Sequence, residues 1–183
     1  GTLSLRPETV LDVLRDIFGS LRQHGIENWL ITNFHSGNEG IINVAVQALG
    51  AELKPNFLGS VSLAQLEPDN IEAQVRRSRV VGHGCEVETA ELMYVRPDLV
   101  RMEDVAAGGL RTEHIDRRRK FFGSGVRVTW SFAEGTSNGA LGDSRQASYE
   151  GGKNLVEGMM DEFMGILDEI MSNWLDRSEG ADS

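Results

Sequence analysis

The sequence predicts an α/β fold, and three observations predict it. An apolar helical pattern over Pro7 to Gln23 precedes a short apolar stretch, Asn28 to Asn33, bounded by turn residues. A polar loop, Phe34 to Gly40, then leads into a second helical pattern, Ile41 to Leu49. A second strand-like stretch, Asn56 to Ser62, follows it. Helices alternating with short strands define this class.

Each element has a local reason. Pro7 sits where a first helical turn accepts proline. Val10, Leu11, Leu14, Ile17, Phe18 and Leu21 fall on one helical face. His24-Gly25 stops that helix, glycine being the usual C-terminal residue. Asn28 to Asn33 is apolar enough for a buried strand. Asp69 to Arg79 is charged and reads as a solvated helix or loop. Glu86 to Val95 reads as a helix ended by Arg96-Pro97. Asp98 to Gly109 is a connector, and Thr112 to Lys120 is strongly polar. Val126 to Phe132 alternates like a strand, and Ala133 to Asp143, with three glycines, reads as a loop. A final helix is expected from Asp143 or Ser144 to about Leu175, interrupted near Gly151-Gly152. The whole reads as one domain over residues 1–177, with a flexible tail at 178–183.

Composition narrows the function. The 183 residues carry 18 basic and 28 acidic side chains, a net charge of −10. Such a field repels phosphate backbones, so no nucleic-acid partner is expected. No apolar run approaches ~18 residues, so no membrane span is expected. Cys85 is the sole cysteine, which excludes an internal disulfide framework and a cysteine-rich zinc site. A cytoplasmic location is the default expectation. Arg117-Arg118-Arg119-Lys120 is the only basic run, and reads as solvated or subunit-contacting.

Two of the four histidines stand out. His35 directly follows an apolar strand, in the place where open α/β sheets bind ligands. It is either a metal or acid-base histidine or one that merely hydrogen-bonds within its loop. Gly37 permits a tight turn there, and Asn38 is expected to cap the next helix. His83 lies between Gly82 and Gly84, just before a helix carrying Glu86, Glu88 and Glu91. Glu88 is five residues beyond His83, so the two can meet only if the histidine is in the loop and the carboxylate on the first turns. Such a carboxylate can bind metal, orient a histidine or act as a base. Glu86 is assigned instead to the helix dipole. His24 and His114 read as ordinary surface residues. Cys85 stands at a helix start, which lowers a thiol pKa, although a buried structural cysteine is the commoner outcome. Met159, Met160, Met164 and Met171 share a helix with Phe163, Ile166, Leu167 and Ile170, as core or as a subunit-facing surface.

Four segments together resemble the creatininase family of metal-dependent amidohydrolases. They are Gly1 to Thr9, Asn33-Phe34-His35-Ser36-Gly37-Asn38, Gly82-His83-Gly84-Cys85-Glu86-Val87-Glu88-Thr89, and Gly142-Asp143-Ser144 with Ala147 to Gly152. They are similar to that family's Gly-Thr-leading helix, its Asn-Gly-His-Gly-Gly-Asn loop, its Gly-His-Ala-Gly-x-x-Glu-Thr motif and a late Gly-Asp-Pro-like segment, in the same order. The resemblance implies a three-layer α/β/α sandwich with a mainly parallel sheet. It implies a binuclear site, of Zn or Mn and sometimes Fe, that activates water to hydrolyse a C–N amide bond. It implies His35 as a metal ligand, His83 as the acid-base histidine, and Glu88 as a metal ligand or a catalytic carboxylate on the bridging water. It also implies an oligomer, commonly a hexamer.

The departures matter as much. The family's Glu-x-His-Gly motif with its following Asp, which supplies much of the metal shell, occurs nowhere in these residues. Ser36 replaces a family Gly, Cys85 replaces a small residue, and the Glu some members carry at the place of Gly37 is missing. One His and one Glu cannot close a zinc site, which takes about four ligands. The expectation is a separate or cleaved N-terminal chain that supplies the rest, ahead of a trimmed fragment or a degenerate member. The substrate expected is a small amide, cyclic or heteroaromatic. The alternatives are a non-catalytic subunit that stabilises an active paralogue, and a metal-free member of the fold that binds an anion at helix N-termini.

Overall fold

The structure is a computed structural model, and it describes residues 3–66, 75–78, 81–109 and 131–175. Most of the charged stretch from Asp69, the polar segment with His114 and the basic run, the strand-like residues 126–130 and the tail 178–183 lie outside them. The chain forms two compact units, residues 1–66 with 161–183 and residues 67–160.

The first unit opens with helix α1 (Pro7–Gln23), over the range the pattern predicts. Gly25 adopts φ +76°, and its N–H donates to the Arg22 carbonyl at 2.9 Å, which ends the helix. Strand β1 (Asn28–Asn33) and strand β2 (Phe57–Ser62) pair in parallel, from Asn28↔Phe57 to Asn33↔Ser62. Helix α2 (Glu39–Leu53) makes the crossover that a parallel pair requires. The core is Phe18 stacked on Trp29, with ring centroids 4.6 Å apart, closed by Ala45 and Leu49 of α2. The Trp29 indole donates to the Ile26 carbonyl at 2.8 Å, so its polar atom is satisfied inside this core. Burying each large side chain there contributes roughly 1.5–3 kcal/mol. Leu11, Leu14 and Leu21 pack against the cluster, whereas Ile17 is 48% exposed. The apolar stripe of α1 is thus wider than the sheet face beneath it.

The second unit contains α3 (Glu86–Val95), the short helix α4 (Phe132–Gly135) and the start of α5 (Tyr149–Ile170), whose residues from Asp161 belong to the first unit. Its core is Val75, Cys85, Val87, Ala90 and Leu155. Gly152 of α5 meets the backbone of α3 so closely that a Cβ there would lie 1.8 Å from the Ala90 carbonyl oxygen. Pro97 ends α3 as expected, with a 3₁₀ turn over Pro97–Leu99.

The last third differs from expectation. Residues Ser144–Gln146 form a separate 3₁₀ turn, and α5 begins only at Tyr149. It then runs unbroken through Gly151 and Gly152, because those glycines serve packing rather than a break. Its end passes into a π turn, Met171–Leu175, where the Trp174 ring meets Phe57 edge-on at 6.1 Å. Phe132 opens α4 instead of closing a strand, so the predicted loop starts with a helical turn. Met159 is buried, whereas Met160, Met164 and Met171 are exposed on this chain.

Candidate functional site

The first unit presents His35 just beyond the carboxyl end of β1. Buried Asn33 fixes its backbone from both sides. The His35 N–H donates to Asn33 Oδ1 at 3.2 Å, and Asn33 Nδ2 donates to the His35 carbonyl at 2.9 Å. The ring then folds over Gly37, whose N–H donates to His35 Nδ1 at 2.8 Å. A Cβ on residue 37 would lie 2.7 Å from His35 Cε1, so glycine is what admits the ring. His35 therefore caps the 3₁₀ turn Ser36–Asn38. Asn38, expected to cap α2, makes no such bond, because its backbone is already helical at φ −89° and ψ −13°. A capping side chain works from an extended backbone. With Nδ1 accepting, the neutral ring carries its proton on Nε2, so the ring can ligate a metal only by giving up this bond to Gly37.

Beside this loop, at the carboxyl ends of both strands, lies a polar cavity of about 200 Å³. Asn33, Glu39, Ser60, Ser62 and Gln65 line it. Ser62 Oγ and Gln65 Nε2 donate to Glu39 Oε1 at 3.3 Å and 2.7 Å. Glu39 carries one local signal in the sequence, a carboxylate on the first helical turn after a strand-end loop.

The second unit holds His83, Glu88 and Glu86. His83 pairs antiparallel with Leu141, whose N–H donates to the His83 carbonyl at 2.7 Å. Glu88 is exposed, and its Oε2 accepts the Gly84 N–H at 2.5 Å. The carboxylate on the first turns thus reaches back to the histidine's own loop, through the residue after His83. Gly84 takes φ +52° to make that turn.

Glu86 does far more than complement a helix dipole. It is fully buried, and Oε1 accepts the N–H groups of Arg77 at 2.9 Å and Ser78 at 2.5 Å. Oε2 accepts the Asp143 N–H at 2.8 Å. Burial pushes its pKa up, but the backbone donors outweigh that and hold the group below its ordinary range. Gly142, at φ +134°, allows the approach, since a Cβ there would meet Cys85 Cβ at 2.5 Å and Glu86 Oε2 at 2.6 Å. Next to it, the Arg145 guanidinium holds the Asp143 carboxyl down to about 2. Ser144 Oγ donates to the Gly84 carbonyl. One buried carboxylate therefore joins three segments behind the His83 turn.

Cys85 is buried, and burial raises its thiol pKa above the usual value, overriding the helix-start effect expected from sequence. His24 is the exposed C-cap of α1, as expected.

A divalent metal was the cofactor expected. His35 and Glu88 are donors of the right type, yet among the described residues no group of three or more His, Cys, Asp or Glu side chains gathers to hold an ion. His35 stands in the first unit and Glu88 in the second. Among the described residues, no helix is long and apolar enough to cross a membrane.

Two parallel strands joined through a helix, with a histidine directly beyond the first, make this an α/β protein. The family model for creatininase, described as creatinine amidohydrolase, matches residues 1–167, and the chain belongs to that family. A protein from Bacteroides fragilis NCTC 9343 named as a creatinine amidohydrolase superposes with a TM-score of 0.78 at 20% identity, over 92% of this chain and 63% of that one. A substituted creatininase in a Zn–Zn form gives 0.73 at 21% identity, over 95% and 67%. A Mn creatininase gives 0.70 at 22% identity, over 95% and 67%. No curated protein matches the chain in sequence. The fold is the α/β sandwich of the creatininases, as expected, and the chain spans about two thirds or less of these relatives' lengths.

Proposed function

We propose that the protein is a metal-dependent amidohydrolase that cleaves a C–N amide bond in a small, cyclic or heteroaromatic substrate, with this chain as the C-terminal part of the enzyme. The observation that carries the reading is the seat of His35 directly beyond β1, in a chain the creatininase model matches over residues 1–167. The Zn–Zn and Mn forms of the structural relatives support a divalent metal. His35 and Glu88 would contribute to its shell, and residues outside this segment would complete it. The assembly would be an oligomer.

A metal pair, when bound, lowers the pKa of water and polarises the carbonyl. The chain's own residues do the rest. Asn33 holds the His35 backbone at the strand end, and Gly37 holds the ring until a metal replaces that bond. His83, held at the Leu141 pairing, is the group that hands a proton to the leaving nitrogen. Glu88 braces the turn that presents His83.

The test is turnover of a panel of cyclic amides by the complete assembly, with metal measured alongside. His83→Ala is expected to keep most of its metal and lose turnover. Retained turnover in that variant removes the acid-base assignment.

A further inference from the structure

We infer that Glu86 is a positioning residue for the proposed reaction: its buried carboxylate pins residues 141–144 to the start of α3 and so fixes where the turn presents His83. The inference deepens the proposed function and rests on it for the proton transfer assigned to His83.

Glu86 falls on an open position of the Gly-His-Ala-Gly-x-x-Glu-Thr pattern, so the resemblance gives it no role. Its place in the structure does. His83 lies in an isolated bridge with Leu141, not in a strand. The Leu141 N–H donates to the His83 carbonyl at 2.7 Å, and the Gly82 N–H donates to the Leu141 carbonyl at 3.1 Å. A single bridge fixes one point of a loop and leaves its direction open. Two residues further on, the Asp143 N–H donates to Glu86 Oε2 at 2.8 Å, and Ser144 Oγ donates to the Gly84 carbonyl. The segment that pairs with His83 is therefore tied down again just beyond the turn. The other carboxylate oxygen accepts the N–H groups of Arg77 at 2.9 Å and Ser78 at 2.5 Å, so the anchor is itself anchored. The packing leaves no slack, since a Cβ on residue 142 would lie 2.6 Å from Glu86 Oε2. Burying an anion is costly unless its bonds are complete, and a complete buried network holds one arrangement.

An amide cannot do the same. In Glu86→Gln the amide oxygen goes to the side with two donors, Arg77 and Ser78. The amide N–H₂ then faces the Asp143 N–H, donor against donor, and residues 141–144 are released. A displacement of about 1 Å at the group that transfers the proton costs up to about 100-fold in rate.

The experiment compares the complete assembly of the parent protein with Glu86→Gln, Ser144→Ala and Phe18→Leu. Amide hydrogen exchange is the first readout and needs no substrate. In Glu86→Gln the Leu141 and Gly82 amides should exchange at least ~10-fold faster, with those of α1 unchanged. The second readout is steady-state kinetics on the cyclic amide the parent turns over fastest. Glu86→Gln should lower kcat ~10- to 100-fold, with KM and metal content as in the parent. Phe18→Leu loosens the core of the first unit instead and should leave kcat unchanged. Should Glu86→Gln not fold, Ser144→Ala decides on the same readouts, because it frees the same segment without touching the buried carboxylate. Unchanged exchange at Leu141 and Gly82, an unchanged kcat, a loss confined to KM, a loss of metal, or an equal fall in kcat in Phe18→Leu overturns the inference. A parent that turns over no amide sinks the proposed function, and exchange at Leu141 and Gly82 then decides whether Glu86 fixes this turn.

Discussion

The carboxylate of Glu86 accepts the backbone N–H of Asp143 at 2.8 Å, across 57 residues of chain. The same side chain accepts from Arg77 and Ser78, so the residue that opens α3 holds two other segments in place. His83 and Gly84 lie on the turn between them, and Leu141 pairs with His83 two residues before Asp143. The turn that carries His83 is thus supported by a fully buried carboxylate.

Replacing Glu86 by Ala leaves three backbone donors without their acceptor. A loss of about 3 kcal/mol in unfolding free energy is expected, the range for a broken buried polar network. Glu86→Gln should recover part of it, since an amide keeps one accepting oxygen. Urea denaturation of the two variants checks both statements. Equal stability of Glu86→Ala and the parent protein contradicts them.

Gly152→Ala places a methyl against the Ala90 carbonyl, where a Cβ would lie 1.8 Å from the oxygen. Neither helix can give way without breaking the contact between them, so a loss of about 3 kcal/mol or more is expected. A thermal melt reads it. Gly165, on the same helix, has open space around it and serves as the control. Gly165→Ala should be neutral or slightly stabilising, because alanine is the better helix former.

Acid sensitivity should track Asp143. Its folded pKa, about 2, lies below the ordinary value of 3.8 because Arg145 pairs with the ionised form. A depressed carboxyl contributes stability above its unfolded pKa and loses it as pH falls through the folded one. The difference in urea midpoint between the parent protein and Asp143→Asn should therefore be present at about pH 5 and shrink between about pH 4 and pH 2. A difference that does not change with pH would assign the pair no role.

Gly37→Ala forces the His35 ring away, since a Cβ would meet Cε1 at 2.7 Å and Nδ1 at 2.9 Å. The ring is the outer end of an exposed side chain, so stability should change by less than ~1 kcal/mol. Metal affinity should hold or rise, because the ring no longer gives Nδ1 to the Gly37 N–H. A chelator competition titration measures it, and a loss of about 10-fold or more contradicts the reading of that bond.

The sequence makes local features legible and distant ones not. α1 over Pro7–Gln23 and β1 over Asn28–Asn33 are encoded by a proline, a glycine and a stretch of apolar spacing, all within the segment itself. His35 is likewise legible, because a polar residue following an apolar strand is visible in a short window. Glu86 is not. A glutamate on a first helical turn has a sufficient local explanation in the dipole, and its partner Asp143 is far away in the chain. Cys85 is half legible: burial is the commoner expectation for a lone cysteine and the structure bears it out, but the neighbours that bury it, Val75 and Leu155, lie elsewhere in the chain. Asn38 was misread because the 3₁₀ turn before α2 has already put its backbone in the helical region, from which its side chain does not cap.

The most direct test of the central claim is the metal content of the natively purified assembly, by elemental mass spectrometry, for the parent protein and His35→Ala. The account predicts about two divalent ions per protomer in the parent and loss of metal with activity in the variant. A complete assembly that carries no metal, or an unchanged metal content in His35→Ala, would contradict it.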